Sequence, residues 1–271
     1  MARDVARRAS RLRWLRKAQV VRGYGAAPRA HLRYVLADPE LDTFSYDLAN
    51  VDELVRAVAD LTRVEVGVVL GHVAELDADE VLAGRIRRAV RWHPEAKRRP
   101  PLGRQLARYA LARILAPGLV VECGTKHGLG SLVLLRALER NASEGRPGGV
   151  VVGLDPDPLA GWMVRSGTPG WERVPARSSD ALPGVLRGRA VGMLVHDSVP
   201  DPVVARHEYE AALAAAEPAL ALAGNGGWTP VLRELAAATG VPCRSVEERP
   251  IGHFYPGAVQ DLAVFRREAA T

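Results

Sequence analysis

The run LVVECGTKHGLGS, from Leu119 to Ser131, decides how this chain is read. Three apolar residues lead into Glu122, glycines follow at Gly124, Gly128 and Gly130, and an apolar helical pattern begins directly after them. That order is a strand, a tight turn and a helix N-terminus, the arrangement that holds nucleotide-like ligands. The acid at the strand end narrows the ligand, because Glu122 sets a carboxylate where a pyrophosphate would have to lie.

Working outward, residues from Leu119 onward alternate between short apolar runs and helical stretches. Strands are predicted at Leu119–Cys123, Gly149–Asp155, Val191–Asp197, Ala219–Ala223, Cys243–Glu248 and Asp261–Arg266, with a weaker one at Glu172–Pro175. Helices are predicted at Gly130–Asn141, Pro158–Arg165, Ser179–Gly188, Pro202–Glu217 and Thr229–Thr239. Strands that are apolar throughout belong to a sheet covered on both faces. The fold class is therefore α/β, a doubly wound Rossmann-like sheet with its ligand at the carboxyl ends of the strands.

Upstream of about residue 100 the pattern is helical. VDELVRAVADLTRVEVGVVLGHV from Val51 and DADEVLAGRIRRAVRWHP from Asp77 carry apolar residues at three- and four-residue spacing, and no strand alternation stands out. EAKRRPPLGRQ reads as a linker, and Gln105–Leu115 as a helix feeding the core. The expected division is a helical cap or oligomerisation region over 1–100 and a ligand-binding domain over 101–271, with the first region offering a surface for a homodimer.

Composition excludes several classes. No apolar run approaches 18 residues, so no membrane span is expected. The basic N-terminus lacks an apolar h-region, and Cys123 and Cys243 form neither a disulfide framework nor a metal-ligand spacing, which together suggest a cytoplasmic protein. Residues 1–33 hold ten Lys or Arg against one acid, and Arg85–Arg108 is basic again. No aromatic-and-basic pattern accompanies them, so nucleic acid is not an expected partner; both stretches read as solvated helix faces, with contact to an anionic surface, a lipid headgroup or a phosphorylated substrate as the alternative.

A second acid sharpens the ligand. Asp155 ends the next strand, 25 residues after Gly130, where a carboxylate can accept both hydroxyls of a ribose. Glycines, Glu122 and Asp155 together suit a ligand with a cationic amine, an adenosine and no phosphate. S-adenosylmethionine has that chemistry, whereas Glu122 would repel the pyrophosphate of NAD.

VVECGTKHGLGS, VVVGLDPD, MLVHDS and HFYPG, in this order, resemble the class I S-adenosylmethionine-dependent methyltransferases, and more closely a bacterial branch acting on small molecules and natural products. The resemblance runs from about Leu115 to the end. It implies a seven-stranded sheet whose last hairpin, Cys243–Glu248 with Asp261–Arg266, is antiparallel. It implies that Glu122 lies near the methionine amine, that Gly124, Thr125, Lys126, Gly128 and Gly130 pack against the cofactor, that Asp155 holds the ribose, and that Ser178, Ser179 and Asp180 lie near the adenine.

Two segments depart from the family pattern. HDSVP has Pro200 where a histidine is common, and GNGG has Gly224 where an aspartate is common, with Asn225 retained. Asp197 and Asn225 alone leave a hard-cation site short of charge, so no metal is expected. For a hydroxyl acceptor, which loses a proton near the transition state, the candidates for a catalytic role are Asp197, then His253 in the late loop, then His196, with His127 and Tyr255 also in reach; Asp197 is also a candidate cofactor contact. Trp162 and Trp228 are candidates for the pocket wall or for packing, and Tyr46 with Asp47 for a segment closing the site. The expected activity is methyl transfer to an oxygen, less readily a nitrogen, of a small-molecule acceptor. The alternatives are a non-methylating reaction with the same cofactor, and a non-catalytic partner protein.

Overall fold

The computed structural model describes residues 45–92, 97 and 99–266, together with Leu15, Lys17 and Ala18. Most of the basic stretch 1–33 thus lies outside the described residues. Short β1 (Asp47–Leu48) precedes three helices, Val51–Thr62, Val66–Asp77 and Glu80–Ala89, and helix Leu106–Leu115 leads into the sheet. There follow β2 (Leu119–Cys123), helix Leu129–Ser143, β3 (Val150–Leu154), β4 (Trp171–Val174), helix Ser178–Val185, β5 (Val191–His196), helix Pro202–Ala214, β6 (Ala216–Asn225), helix Val231–Thr239, β7 (Cys243–Glu247), β8 (Pro250–Ile251) and β9 (Val259–Arg266).

The main sheet has seven strands in the order β4-β3-β2-β5-β6-β9-β7. β4 through β6 are parallel, and β9 is antiparallel to both β6 and β7. The chain winds outward from β2 in one direction and restarts at β5 in the other, so the β2–β5 boundary is the switch point where such sheets open a crevice. Register sharpens this. Cys123 pairs with Leu154 and with His196, and His196 pairs with Gly224, so β2, β3, β5 and β6 end at one level. The residues at those ends, Glu122, Asp155, Asp197 and Asn225, therefore share one edge.

Side chains alternate across the sheet. Val120, Val151, Met193, Val195, Ala221 and Val264 face one core, which they share with Leu54, Val58, Val69, Leu82, Tyr109 and Leu134 of the helices before β3. Val121, Val152, Leu154, Leu194 and Leu222 face the other, with Leu182, Ala205, Tyr209 and Leu232. The helices of residues 51–89 thus pack into the same apolar cluster as the sheet.

Three segments differ from expectation. The run from Val51 is two helices, because Arg63 takes the left-handed conformation (φ 61°) and closes the first. The stretch predicted as a helix at 158–165 is a set of turns. Asp157 captures the Leu159 amide at 2.8 Å, and the amides of Gly161 and Met163 donate to the carbonyls of Lys126 (2.7 Å) and His127 (3.0 Å) rather than along a helix. Helix 202–214 stops short of Glu217 because β6 starts at Ala216, and the strand extends to Asn225. The N-terminal part also contributes β1, which pairs with β8 across the late loop: Asp47 opposes Ile251, and Leu48 opposes Pro250.

Candidate active site

The turn after β2 is shaped by contacts that only glycine permits. Gly124 (φ 91°) lies against the backbone of Asp197 and Ser198, and a Cβ there would collide with the Asp197 carbonyl. Gly130, in the first turn of helix 129–143, leaves room for the Glu122 carboxylate, with which a Cβ would overlap. The turn is braced from outside by the 158–165 segment.

Above it lies a cavity of about 420 Å³, lined by Glu122, the turn from Gly124 to Gly130, Asp155, Asp197, Ser198, Trp228, Tyr255, Arg104, Gln105 and Arg108. A second cavity of about 350 Å³, lined by Gly124, Asp155, Arg177, Ser178, Ser179 and Ser198 among others, shares Gly124, Asp155 and Ser198 with the first. Asp155 therefore stands between two adjoining chambers. Glu122, Gly124, Thr125, Lys126, Gly128, Gly130, Asp155 and Asp197 line the first chamber and Ser178 and Ser179 the second, whereas Asp180, also expected near the adenine, lines neither.

Glu122 is buried and accepts a hydrogen bond from Ser131 Oγ. Burial pushes its carboxyl up to about 7, against the Ser131 hydrogen bond and the nearby Arg108 charge. Such a carboxyl gains from a cation placed beside it. Asp155 accepts the Lys126 amide at 2.8 Å and the Asp157 amide at 2.9 Å. Each oxygen retains lone pairs for a ligand. Thr125 Oγ1 is buried in the cavity wall with no hydrogen-bond partner among the described residues.

The predicted catalytic residues separate. Asp197 lines the cavity, but its two oxygens are held by Arg104 Nη2 at 2.8 Å and Arg108 Nη2 at 3.0 Å. Burial alone would raise its carboxyl; the two guanidiniums outweigh that and hold it below the usual carboxylate range. A carboxylate so held is a weak base. His196 lies outside the cavity. It follows Val195 by one residue, so alternation turns it to the opposite face, where it is fully buried with Nδ1 2.6 Å from Glu208 Oε2. His253 does not line the cavity either: its Nδ1 accepts the Tyr255 amide at 3.1 Å, its ring packs on Tyr46, and Tyr255 is the residue of that loop that reaches the cavity.

His127 lines the cavity and accepts the Trp162 indole N–H at 2.9 Å, so Trp162 orients it from behind, while Trp228 is part of the wall. Tyr46 is buried behind Tyr255 and donates to Glu248, whose carboxylate also accepts from the Ala258 amide (3.0 Å) and from Gln260 Nε2. Tyr46 thus fastens the late loop from below, and neither it nor Asp47 lines the cavity.

Sequence reasoning missed Arg104 and Arg108. Both were absorbed into a basic stretch read as solvated, yet Arg108 is 5% exposed. Arg104 lies in the 3-10 turn Gly103–Gln105 and Arg108 in the first turn of helix 106–115, and their four-residue spacing was the available signal. Nothing local indicated that this pair meets the end of β5.

Residues 121–229 match the family model described as a methyltransferase domain. A search of curated proteins gives no match. Among solved structures the chain is similar to the O-methyltransferase from Bacillus cereus in complex with SAH (14% identity, TM-score 0.53, 70% of this chain and 92% of that one). It is similar also to cofactor-bound Rv0187 from MTB (17% identity, TM-score 0.54, 70% and 92%). At such identities the likeness speaks for the fold, and the family match for the domain. Residues 121–229 thus match a methyltransferase domain, and the chain shares its fold with these two solved structures.

Proposed function

We propose that the chain transfers the methyl group of S-adenosylmethionine to an oxygen of a small-molecule acceptor, such as a sugar-bearing or otherwise decorated natural product, without a metal ion. One observation carries the reading: Glu122 and Asp155 end adjacent parallel strands on either side of a glycine turn and open into two adjoining chambers. The residues fit the cofactor. Glu122 would take its ammonium, Asp155 its ribose hydroxyls, and Ser178 with Ser179 its base, while the orphan Thr125 hydroxyl and the close wall at Gly124 fit a ligand lying along the turn.

Bound there, the cofactor supplies an electrophilic methyl carbon, and the protein supplies position. The chamber toward β5 and β6 remains for the acceptor, under Tyr255 and Trp228. Metal independence is supported by Asp197. Each of its oxygens already accepts a guanidinium, and a dication would have to displace two cations from it.

Incubation with methyl-labelled cofactor and a panel of hydroxylated natural products tests the reading. Label should pass to an acceptor with one S-adenosylhomocysteine formed per methyl. Cofactor consumption without a methylated product would overturn it in favour of a non-methylating reaction.

A further inference from the structure

The end of the cavity away from Asp155 carries more donors than acceptors. Among the described residues Arg104 and Arg108 share a single carboxylate, Asp197, and Arg108 Nη1 also donates to Gln105 Oε1 at 3.5 Å. They also line a small cleft of about 10 Å³ with Asn225 and Gln260. Asn225 is 6% exposed, and its Oδ1 accepts the Gly227 amide at 3.1 Å. That bond fixes the orientation of the side-chain amide, so the group aimed elsewhere is the Nδ2 donor, which is buried with no hydrogen-bond partner among the described residues. A buried amide donor left unmatched is costly, and such orphans mark places where a ligand completes the set. Glu248 also acts on Arg104 electrostatically, but its oxygens are engaged by Tyr46, Gln260 and the Ala258 amide.

Resting on the methyltransferase reading above, we propose that Arg104, Arg108 and Asn225 form a subsite that binds the acceptor through an anionic oxygen, a carboxylate or an acidic hydroxyl. Two planar guanidiniums and an amide N–H on the wall of one cleft match a carboxylate or phenolate and offer nothing to a cation. The subsite lies at the ends of β5 and β6, two strands removed from Asp155, so the acceptor oxygen would lie beside the cofactor on the side away from its ribose. It also removes the need for a strong base. An acceptor held as an oxyanion uses a lone pair to form the new O–C bond while the S–C bond breaks and its electron pair stays on sulfur. Oxyanion and sulfonium are neutralised together, and no proton passes to the weakly basic Asp197.

The test is calorimetric titration of the protein saturated with S-adenosylhomocysteine, using benzoate and the three hydroxybenzoates against their matched benzamides. Wild type should bind at least one carboxylate tenfold or more tighter than its amide. Asn225→Asp keeps the acceptor for the Gly227 amide and replaces the free donor by a charged oxygen. It should lower carboxylate affinity at least tenfold while S-adenosylhomocysteine affinity changes less than twofold, and Arg104→Gln should act in the same direction. Equal affinity for carboxylate and amide in wild type, or no binding by any member of the panel, overturns the subsite. So does a tenfold loss of S-adenosylhomocysteine affinity in both variants, which would assign the donors to the cofactor's own carboxylate. Failure of wild type to bind S-adenosylhomocysteine would strike the methyltransferase reading instead, and the same panel on the free protein would then decide the subsite.

Discussion

Replacing Glu122 by Gln should stabilise the free protein and weaken its hold on the cofactor, and the two effects should have different pH dependences. Glu122 titrates near 4.5 when exposed and near 7 in the folded protein, where burial opposes its charge. Below 4.5 both states carry the proton, and the group contributes nothing to pH-dependent stability. Between 4.5 and 7 the folded chain keeps a proton that the unfolded chain has released, so stability falls as pH rises, by about 1.4 kcal/mol per unit. Above 7 the penalty is constant at about 3 kcal/mol. The Glu122→Gln variant keeps an oxygen for Ser131 and escapes the penalty. Its advantage over wild type in urea denaturation should be absent near pH 4.5, grow to about 3 kcal/mol by pH 7.5 and then level off. The same substitution removes the partner of the cofactor ammonium, a charged hydrogen bond whose loss costs roughly 1.5–3 kcal/mol, or about 10- to 100-fold in affinity. In wild type, S-adenosylhomocysteine binding at pH 7 should release about half a proton, measurable by calorimetry in buffers of different ionisation enthalpy. A stability difference independent of pH between 5 and 8 would refute the raised titration. Unchanged cofactor affinity would refute the role assigned to Glu122.

Asp155→Ala should weaken S-adenosylhomocysteine binding by about 1–3 kcal/mol in calorimetry, the loss expected for a charged hydrogen-bonding partner of the ribose; unchanged affinity would remove it from the site. Asp197→Ala removes the shared partner of the half-buried Arg104 and the buried Arg108 and should lower unfolding stability by roughly 3–5 kcal/mol, so a variant as stable as wild type would contradict the ion triad. Activity should survive EDTA, and loss restored by magnesium would overturn metal independence. Gly124→Ala meets the Asp197 backbone from a left-handed position and should abolish cofactor binding or folding; normal binding would show that the turn is laxer than its geometry implies.

Much of this architecture is legible in the chain. Each expected strand of the main sheet is present, because apolar runs bounded by glycine or by acids leave little freedom in a sheet covered on both faces. The turn at Gly124–Gly130 was equally readable, since glycine spacing between a strand and a helix has few other uses. What misled was local pattern without tertiary context. The 158–165 segment has helical spacing, but its amides are drawn to the glycine turn. His196 sits at a strand end in the motif, but the period of two turns it into the core beside Glu208, so adjacency in sequence to Asp197 does not mean a shared cavity.

By itself the sequence determined the sheet, the edge where it opens and the two carboxylates that stand there, because these follow from periodicity, glycine spacing and the residue at a strand's end. Only the tertiary structure decided what surrounds Asp197. Arg104 and Arg108 lie some 90 positions upstream of it. Packing of helix 106–115 beside the end of β5 turns an apparent candidate base into a clamped carboxylate. The charge on a residue is written in the chain, but its basicity depends on neighbours that only the fold supplies.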